Sequence, residues 1–168
     1  MMKKLGMFVL LTMGTTACGF QPLYGTKTNE PSVLADFSTI EVSKIPTKLG
    51  QQLQINLQDK LAPYGLSGDP KYTLNVTLSS AITGFGFRQD ESITRQNLKM
   101  TAQYQLVSLD SEQPVLTGNA NANMTYDVVQ SDFSNLSARE DAERRTGEQI
   151  INTIVTRLGF FLKTSQDK

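Results

Sequence analysis

The sequence predicts an α+β domain, a two-layer sandwich in which one four-stranded mixed or antiparallel sheet carries two helices on one face in the order β-α-β-β-β-α. Three patterns predict it. Leucines recur every fourth residue at Leu49, Leu53, Leu57 and Leu61; apolar and polar residues alternate through three runs between Tyr72 and Tyr126; and a proline-free stretch from about Ser134 to Lys163 closes on a broad apolar stripe. At 168 residues the chain has room for one domain of ordinary size.

The first strand is expected from Phe37 to near Pro46, on its β-branched content. The leucine stripe then defines a helix with Thr47 as N-cap and Ile45 placed to staple its first turn, stopping before Pro63 and Gly65. Its remaining positions are mainly Gln, Asn, Lys and Asp, so it is a surface helix with one buried stripe, and Gly50 within it costs about 1 kcal/mol relative to Ala. In the second strand Tyr72, Leu74, Val76 and Leu78 alternate with Thr73, Asn75, Thr77 and Ser79. Gly84-Phe85-Gly86-Phe87 opens a corner that runs through Asp90. The third strand turns Leu98, Met100, Ala102, Tyr104 and Leu106 inward; the fourth does the same with Leu116, Gly118, Ala120, Ala122, Met124 and Tyr126. Short turns between these runs make an antiparallel meander, and the first strand, which must join through a helix, makes the sheet mixed. In the last helix Ser137 and Glu140 have capping-box spacing, and Glu140 with Arg144 and Asp141 with Arg145 have i,i+4 ion-pair spacing. Its first half is charged nearly all round. Residues 164–168 are expected to be a disordered tail.

The start of the chain carries an address. Lys3 and Lys4 precede an apolar stretch from Leu5 to Met13 and small residues up to Ala17, the order of an export signal over residues 1–17. That stretch is about half of a ~20-residue membrane span. The only cysteine follows at once, and Thr15-Thr16-Ala17-Cys18 resembles a bacterial lipobox, with Thr15 where the pattern favours Leu. Lipidation at Cys18 is the expectation; a buried small hydrophobe or an intermolecular disulfide is the alternative. The chains of a lipoprotein anchor, at about 0.8 kcal/mol per buried CH₂, hold a protein to a membrane. Gly19 stands where inner-membrane retention uses Asp, which implies the outer membrane, periplasmic side. Residues 18–34 then form the lipidated N-terminus and a tether, with residues 35–163 as the folded domain.

Composition narrows the chemistry. Sixteen basic and sixteen acidic residues cancel, which argues against a nucleic-acid binder; histidine is absent, so most triads and His-ligated metal sites are excluded, and no metal or cofactor is expected. Paired carboxylates can act without histidine, but Asp90-Glu91 reads as a turn and Glu140-Asp141-Glu143 as an acidic helix turn. Gly84-Phe85-Gly86-Phe87 lacks the remainder of a phosphate loop. The chain is expected not to be an enzyme.

Several segments together resemble the LptE-type lipopolysaccharide-assembly lipoproteins in their alphaproteobacterial form. They are Cys18-Gly19-Phe20-Gln21-Pro22-Leu23-Tyr24-Gly25, Leu49-Gly50-Gln51-Gln52-Leu53, Thr94-Arg95, Thr125-Tyr126-Asp127 and Asp141-Ala142-Glu143-Arg144-Arg145. The resemblance implies a two-helix, four-stranded sandwich that plugs a large outer-membrane β-barrel of the LptD type, helps it assemble and assists delivery of lipopolysaccharide to the outer leaflet. A Thr/Asn/Gln sheet face suits the hydrated interior of a wide barrel, or is simply exposed to solvent. Direct contact with lipopolysaccharide phosphates would need cations, and Arg88, Arg95 and Lys99, flanking one turn, are the candidates; the alternative is ordinary surface charge beside Asp90 and Glu91. Arg144 and Arg145 are more simply explained by helix ion pairs. Two further readings stay open: an auxiliary lipoprotein of an ABC-type envelope lipid-transport complex, and an amphiphile carrier with an enclosed apolar pocket, against which the small inward residues Gly118, Ala120 and Ala122 argue.

Overall fold

The structure, a computed structural model, describes residues 33–87 and 93–166. Its elements are α1 (Val33–Phe37), β1 (Ile40–Val42), α2 (Lys48–Leu61), β2 (Tyr72–Phe87), β3 (Ile93–Ser108), β4 (Pro114–Asp127) and α3 (Asp132–Gln166). The strands form one sheet in the order β1-β2-β3-β4, with β1 parallel to β2 and the other pairs antiparallel. The mixed four-stranded sheet under helices is the expected architecture.

The first strand is shorter than expected. Phe37 closes the turn α1 instead, because the Thr39 N–H donates to the Asp36 carbonyl (3.1 Å) while the Ser38 and Thr39 hydroxyls donate to the Ala35 and Asp36 carbonyls, both at 2.7 Å. Phe37 is fully buried, as are Ile40 and Ile45.

α2 follows the leucine stripe: Leu53, Leu57 and Leu61 are buried and Leu49 packs against them. Thr47 is its N-cap, accepting the Gly50 N–H at 3.1 Å. Gly50 has a structural use beyond its propensity cost, since a Cβ there would lie 2.6 Å from Ile45 Cγ2. The polar side of α2 is not all solvent-facing. Gln58 accepts the Val42 N–H (2.9 Å) and donates to the Ile40 carbonyl (3.3 Å), and Gln54 makes longer bonds to Ile45 and Val42. Two amide side chains thereby occupy the outer edge of β1.

β2 and β3 are each sixteen residues long, so β2 passes through the expected corner and continues to Phe87. Pairing runs from Tyr72 with Ser108 to Phe87 with Ile93, skipping Gly86, whose φ of 74° marks an irregularity. All five inward residues of β3 are essentially fully buried. Gly118 lies opposite Tyr104, where a Cβ would come within 2.6 Å of the ring Cζ. The missing side chain is the space the tyrosine occupies.

α3 begins at Asp132 and ends at Gln166, about 52 Å at 1.5 Å per residue, and lies along β4 and β3. Its cap is Ser131, whose hydroxyl accepts the Ser134 N–H at 3.3 Å, and not Ser137. Asn135 fixes this earlier start by bonding both the N–H (2.9 Å) and the carbonyl (2.8 Å) of Val129. The helix also runs past Lys163 into the expected tail, with the Thr164 and Ser165 hydroxyls back-bonded to Phe160 and Phe161. Ile150, Ile154 and Leu158 are the centre of its buried stripe.

Candidate functional site

The helices cover one sheet face. On the other, β2, β3 and β4 align their odd-numbered residues into six cross-strand rows. From the β1 end outward they are Asn75-Gln105-Thr117, Thr77-Gln103-Asn119, Ser79-Thr101-Asn121, Ala81-Lys99-Asn123, Thr83-Asn97-Thr125 and Phe85-Arg95-Asp127. All are exposed or half-buried. Four rows are polar without charge, Lys99 is the lone charge of the fourth row, and Arg95 with Asp127 closes the array. Hydroxyl and amide groups bond laterally across it: Asn97 Nδ2 donates to Thr125 Oγ1 (3.2 Å), and the Ser43 hydroxyl donates to Asn75 Oδ1 (2.7 Å).

Of the three cations expected to meet phosphates, Arg95 and Lys99 share this face. They are four residues apart on β3, about 13 Å at 3.3 Å per residue. Arg95 Nε is held by Asp127 Oδ1 at 3.0 Å, with both side chains well exposed. An exposed pair of this kind is worth under about 1 kcal/mol, so an anion of higher charge can displace the carboxylate. Arg88 lies outside the described residues, as does Cys18.

Arg144 and Arg145 sit on α3, in the other layer. Arg144 binds Asp141 and also Glu148 (3.0 Å), rather than the expected Glu140, because its fork spans one carboxylate on either side; its guanidinium is pushed above its ordinary value, first by the bond to Asp141. Arg145 makes the expected contact with Asp141 at 3.8 Å. The acidic trio is thus partly spent on helix ion pairs, with Glu143 bound by Arg139 at 2.9 Å.

A feature that the sequence reading missed adjoins the last row. Ile82, Phe85, Ile93, Val129, Phe133 and Leu136 are large apolar residues left exposed around the far end of β2, the start of β3 and the start of α3. The Val128 N–H donates to the Thr94 carbonyl (2.8 Å), which brings the β4–α3 connection against that end of β3. Nearby, Tyr126 donates to Gln96 Oε1 at 2.6 Å, and burial raises its phenol pKa against a smaller lowering by Arg139.

Two depressions among the described residues are open ones, of about 460 Å³ along α3 beside Arg157 and Phe160 and about 240 Å³ at the turn after α2. Neither is the enclosed apolar pocket of a carrier. Among the described residues no three His, Cys, Asp or Glu side chains could hold a metal ion, and no helix is long and apolar enough to cross a membrane.

The class of protein that these elements define is a two-layer α+β sandwich with one broad polar sheet face left uncovered by its helices. The chain belongs to the LptE family of lipopolysaccharide-assembly lipoproteins, whose family model matches residues 37–158. No protein of curated function matches it in sequence. Among solved structures it is similar to a lipoprotein of Caulobacter crescentus, with a TM-score of 0.63 and 20% identity over 78% of this chain and 96% of that one. A minor lipoprotein of Acinetobacter baumannii gives 0.58 and 15% over 73% and 91%, and a lipoprotein B of Nitrosomonas europaea 0.56 and 7% over 74% and 83%. At these identities the structures share the fold.

Proposed function

We propose that this chain is a non-enzymatic lipoprotein, anchored through Cys18 on the periplasmic side of the outer membrane, that plugs and helps assemble a large β-barrel of the LptD type and assists lipopolysaccharide delivery to the outer leaflet. The observation that carries the reading is the sheet face with its six rows, mostly of Thr, Asn, Gln and Ser, with Lys99 in the fourth and Phe85, Arg95 and Asp127 in the last. Such a face keeps its hydrogen-bonding groups satisfied against water or against a polar barrel wall with little desolvation penalty. Membership in a lipopolysaccharide-assembly family supplies the rest. Within this reading Arg88, Arg95 and Lys99 meet phosphates of the lipopolysaccharide, and the apolar rim beside Phe85 and Ile93 suits the acyl portion of the same amphiphile.

The test is a detergent pull-down of the lipidated protein from outer membranes, with the stoichiometric partner identified by mass spectrometry. One large β-barrel at about 1:1 is the expected result. Recovery of ABC-transport or periplasm-spanning components without a barrel would overturn it and move the protein to an envelope lipid-transport complex. Lipopolysaccharide binding is then read separately, with Arg95→Ala and Lys99→Ala expected to weaken it and leave the barrel bound.

A further inference from the structure

The sheet has three stretches of edge, and the chain guards two of them. At β1, the outward N–H and carbonyl groups of Val42 and Ile40 are bonded by Gln58 and Gln54. β4 opens on Pro114, gives its Asn119 carbonyl to Arg157 at 2.7 Å and ends on Asp127, with α3 alongside. The third stretch is β2 beyond Leu74, where β1 stops. Tyr72 donates to Thr39 (3.2 Å) and Leu74 accepts from Ser43 (3.0 Å), so the even-numbered residues of β2 point their N–H and C=O groups away from β3. Val76, Leu78, Ser80, Ile82 and Gly84 continue that series, and among the described residues none of their outward groups meets a partner.

An occupant of this edge must bring an unpaired edge of its own, and the same run in a second copy of the chain is one. Turned about a two-fold axis at Ser80, the run faces itself antiparallel, and its outward residues meet in hydrogen-bonded pairs: Val76 with Gly84, Leu78 with Ile82, and Ser80 with Ser80. The five outward N–H groups of each copy then make roughly ten main-chain hydrogen bonds, the number that a standard protein interface carries.

Three features select this register. Leu74, where the pairing of β1 ends, and Gly86, where β2 is irregular at φ 74°, lie six residues to either side of Ser80, so the open run covers itself from end to end and the kink of one copy falls beside β1 of the other. Side chains meet their own kind. Half-buried Leu78 lies across from exposed Ile82 on one face, Thr77 lies across from Thr83 on the other, and the stretch Ser79-Ser80-Ala81, which does not alternate, sits at the axis with small residues against small. A two-fold brings like charges together, and residues 75–87 contain no charge and no proline.

We infer that the chain self-associates through this edge into a two-fold dimer, one sheet of six long strands whose polar face runs on across the seam. The inference concerns the chain by itself and stands apart from the barrel reading.

Sedimentation of the full lipidated chain in density-matched detergent tests it, with variants accepted on wild-type circular dichroism. The wild type should be a dimer. Ser80→Pro removes an N–H at the axis and leaves the β2–β3 ladder intact, since the inward bonds belong to odd-numbered residues, and should weaken the dimer at least about tenfold. Ser80→Lys sets two ammonium groups against each other on an unchanged backbone and covers the case in which the proline variant does not fold; mixed with Ser80→Glu it should dimerise again. In membranes, oxidation should link Ser80→Cys to itself beyond any linkage of the parent chain, because the opposed Cα atoms lie about 5.5 Å apart, within disulfide reach. Ile82→Cys should not link, its counterpart lying about 13 Å along the strand at 3.3 Å per residue. A monomeric wild type overturns the inference. So does a dimer that the folded Ser80 variants leave intact, or one that Ile82→Cys links and Ser80→Cys does not. Edge amides that are protected in a monomer and lose protection on deletion of residues 19–32 assign the edge to the chain's own N-terminal segment and equally overturn it.

Discussion

Gly118→Ala should destabilise this protein although alanine suits a strand better than glycine. In a strand the substitution ordinarily gains roughly 0.5–1 kcal/mol, chiefly by restricting the unfolded chain. Here the new Cβ would overlap the Tyr104 hydroxyl and approach its Cζ to 2.6 Å. The ring has little room to retreat: Tyr104 is 1% exposed, and its hydroxyl lies 3.4 Å from Arg157 Nη1, itself held by the Asn119 carbonyl. Overpacking of a close-packed core costs about 1–3 kcal/mol, so the net loss is roughly 1–2 kcal/mol, a few degrees in Tm. Urea unfolding followed by far-UV circular dichroism measures it, with an unchanged m-value showing that the loss is in stability. Tyr104→Leu removes the obstacle at its own cost. In that background Gly118→Ala should be neutral or stabilising, a coupling of roughly 1–3 kcal/mol. Equal destabilisation in both backgrounds would refute the packing argument.

Thr47 caps α2 at φ 77° and ψ 158°, a region that strains any residue with a Cβ. Thr47→Ala keeps the strain and loses the cap, at a cost of about 0.5–2 kcal/mol by urea unfolding, whereas Thr47→Gly should equal or exceed the wild type. Burial raises the Tyr126 pKa above 10, so the fold favours the neutral phenol. Its contribution is fully present below the unfolded value and is lost as pH rises from 10 through the raised folded value, so Tyr126→Phe should flatten the fall in stability on the alkaline side of pH 10.

What the sequence made legible was periodic. Leu98, Met100, Ala102, Tyr104 and Leu106 alternate without a break and are all buried, because one residue of slip would turn all five to solvent. The leucines of α2 are legible for the same reason at a period near four. The far half of β2 was not, since Ser79, Ser80 and Ala81 carry no contrast between faces and two glycines follow; its pairing with residues 93–99 holds it in the sheet. Gln54 and Gln58 read as solvent-facing because an amide bonded to a strand edge leaves no periodic trace. The α3 start was misplaced by a capping-box pattern at Ser137, whereas the deciding group was Asn135, six residues from the Val129 backbone that it clasps. At the candidate site, the polar residues could be enumerated from the sequence, but their six rows depend on register, which only strand pairing sets.

In β2 the polar face and the open edge are separable by parity. A strand turns both its side chains and its backbone groups with a period of two. In β2 these coincide: odd residues such as Thr77 and Thr83 place side chains on the polar face and backbone bonds on β3, while even residues such as Ser80 and Ile82 place side chains on the opposite face and backbone groups at the open edge. A substitution at Thr83 that changes only side-chain polarity therefore alters the face and spares the edge. Proline at Ser80 alters the edge and spares the face. If a barrel partner grips both, each change should weaken the complex, and the two losses should add, because they remove different bonds on opposite sides of the strand. If the partner touches the face alone, Ser80→Pro binds as the wild type does and Thr83 variants carry the whole effect.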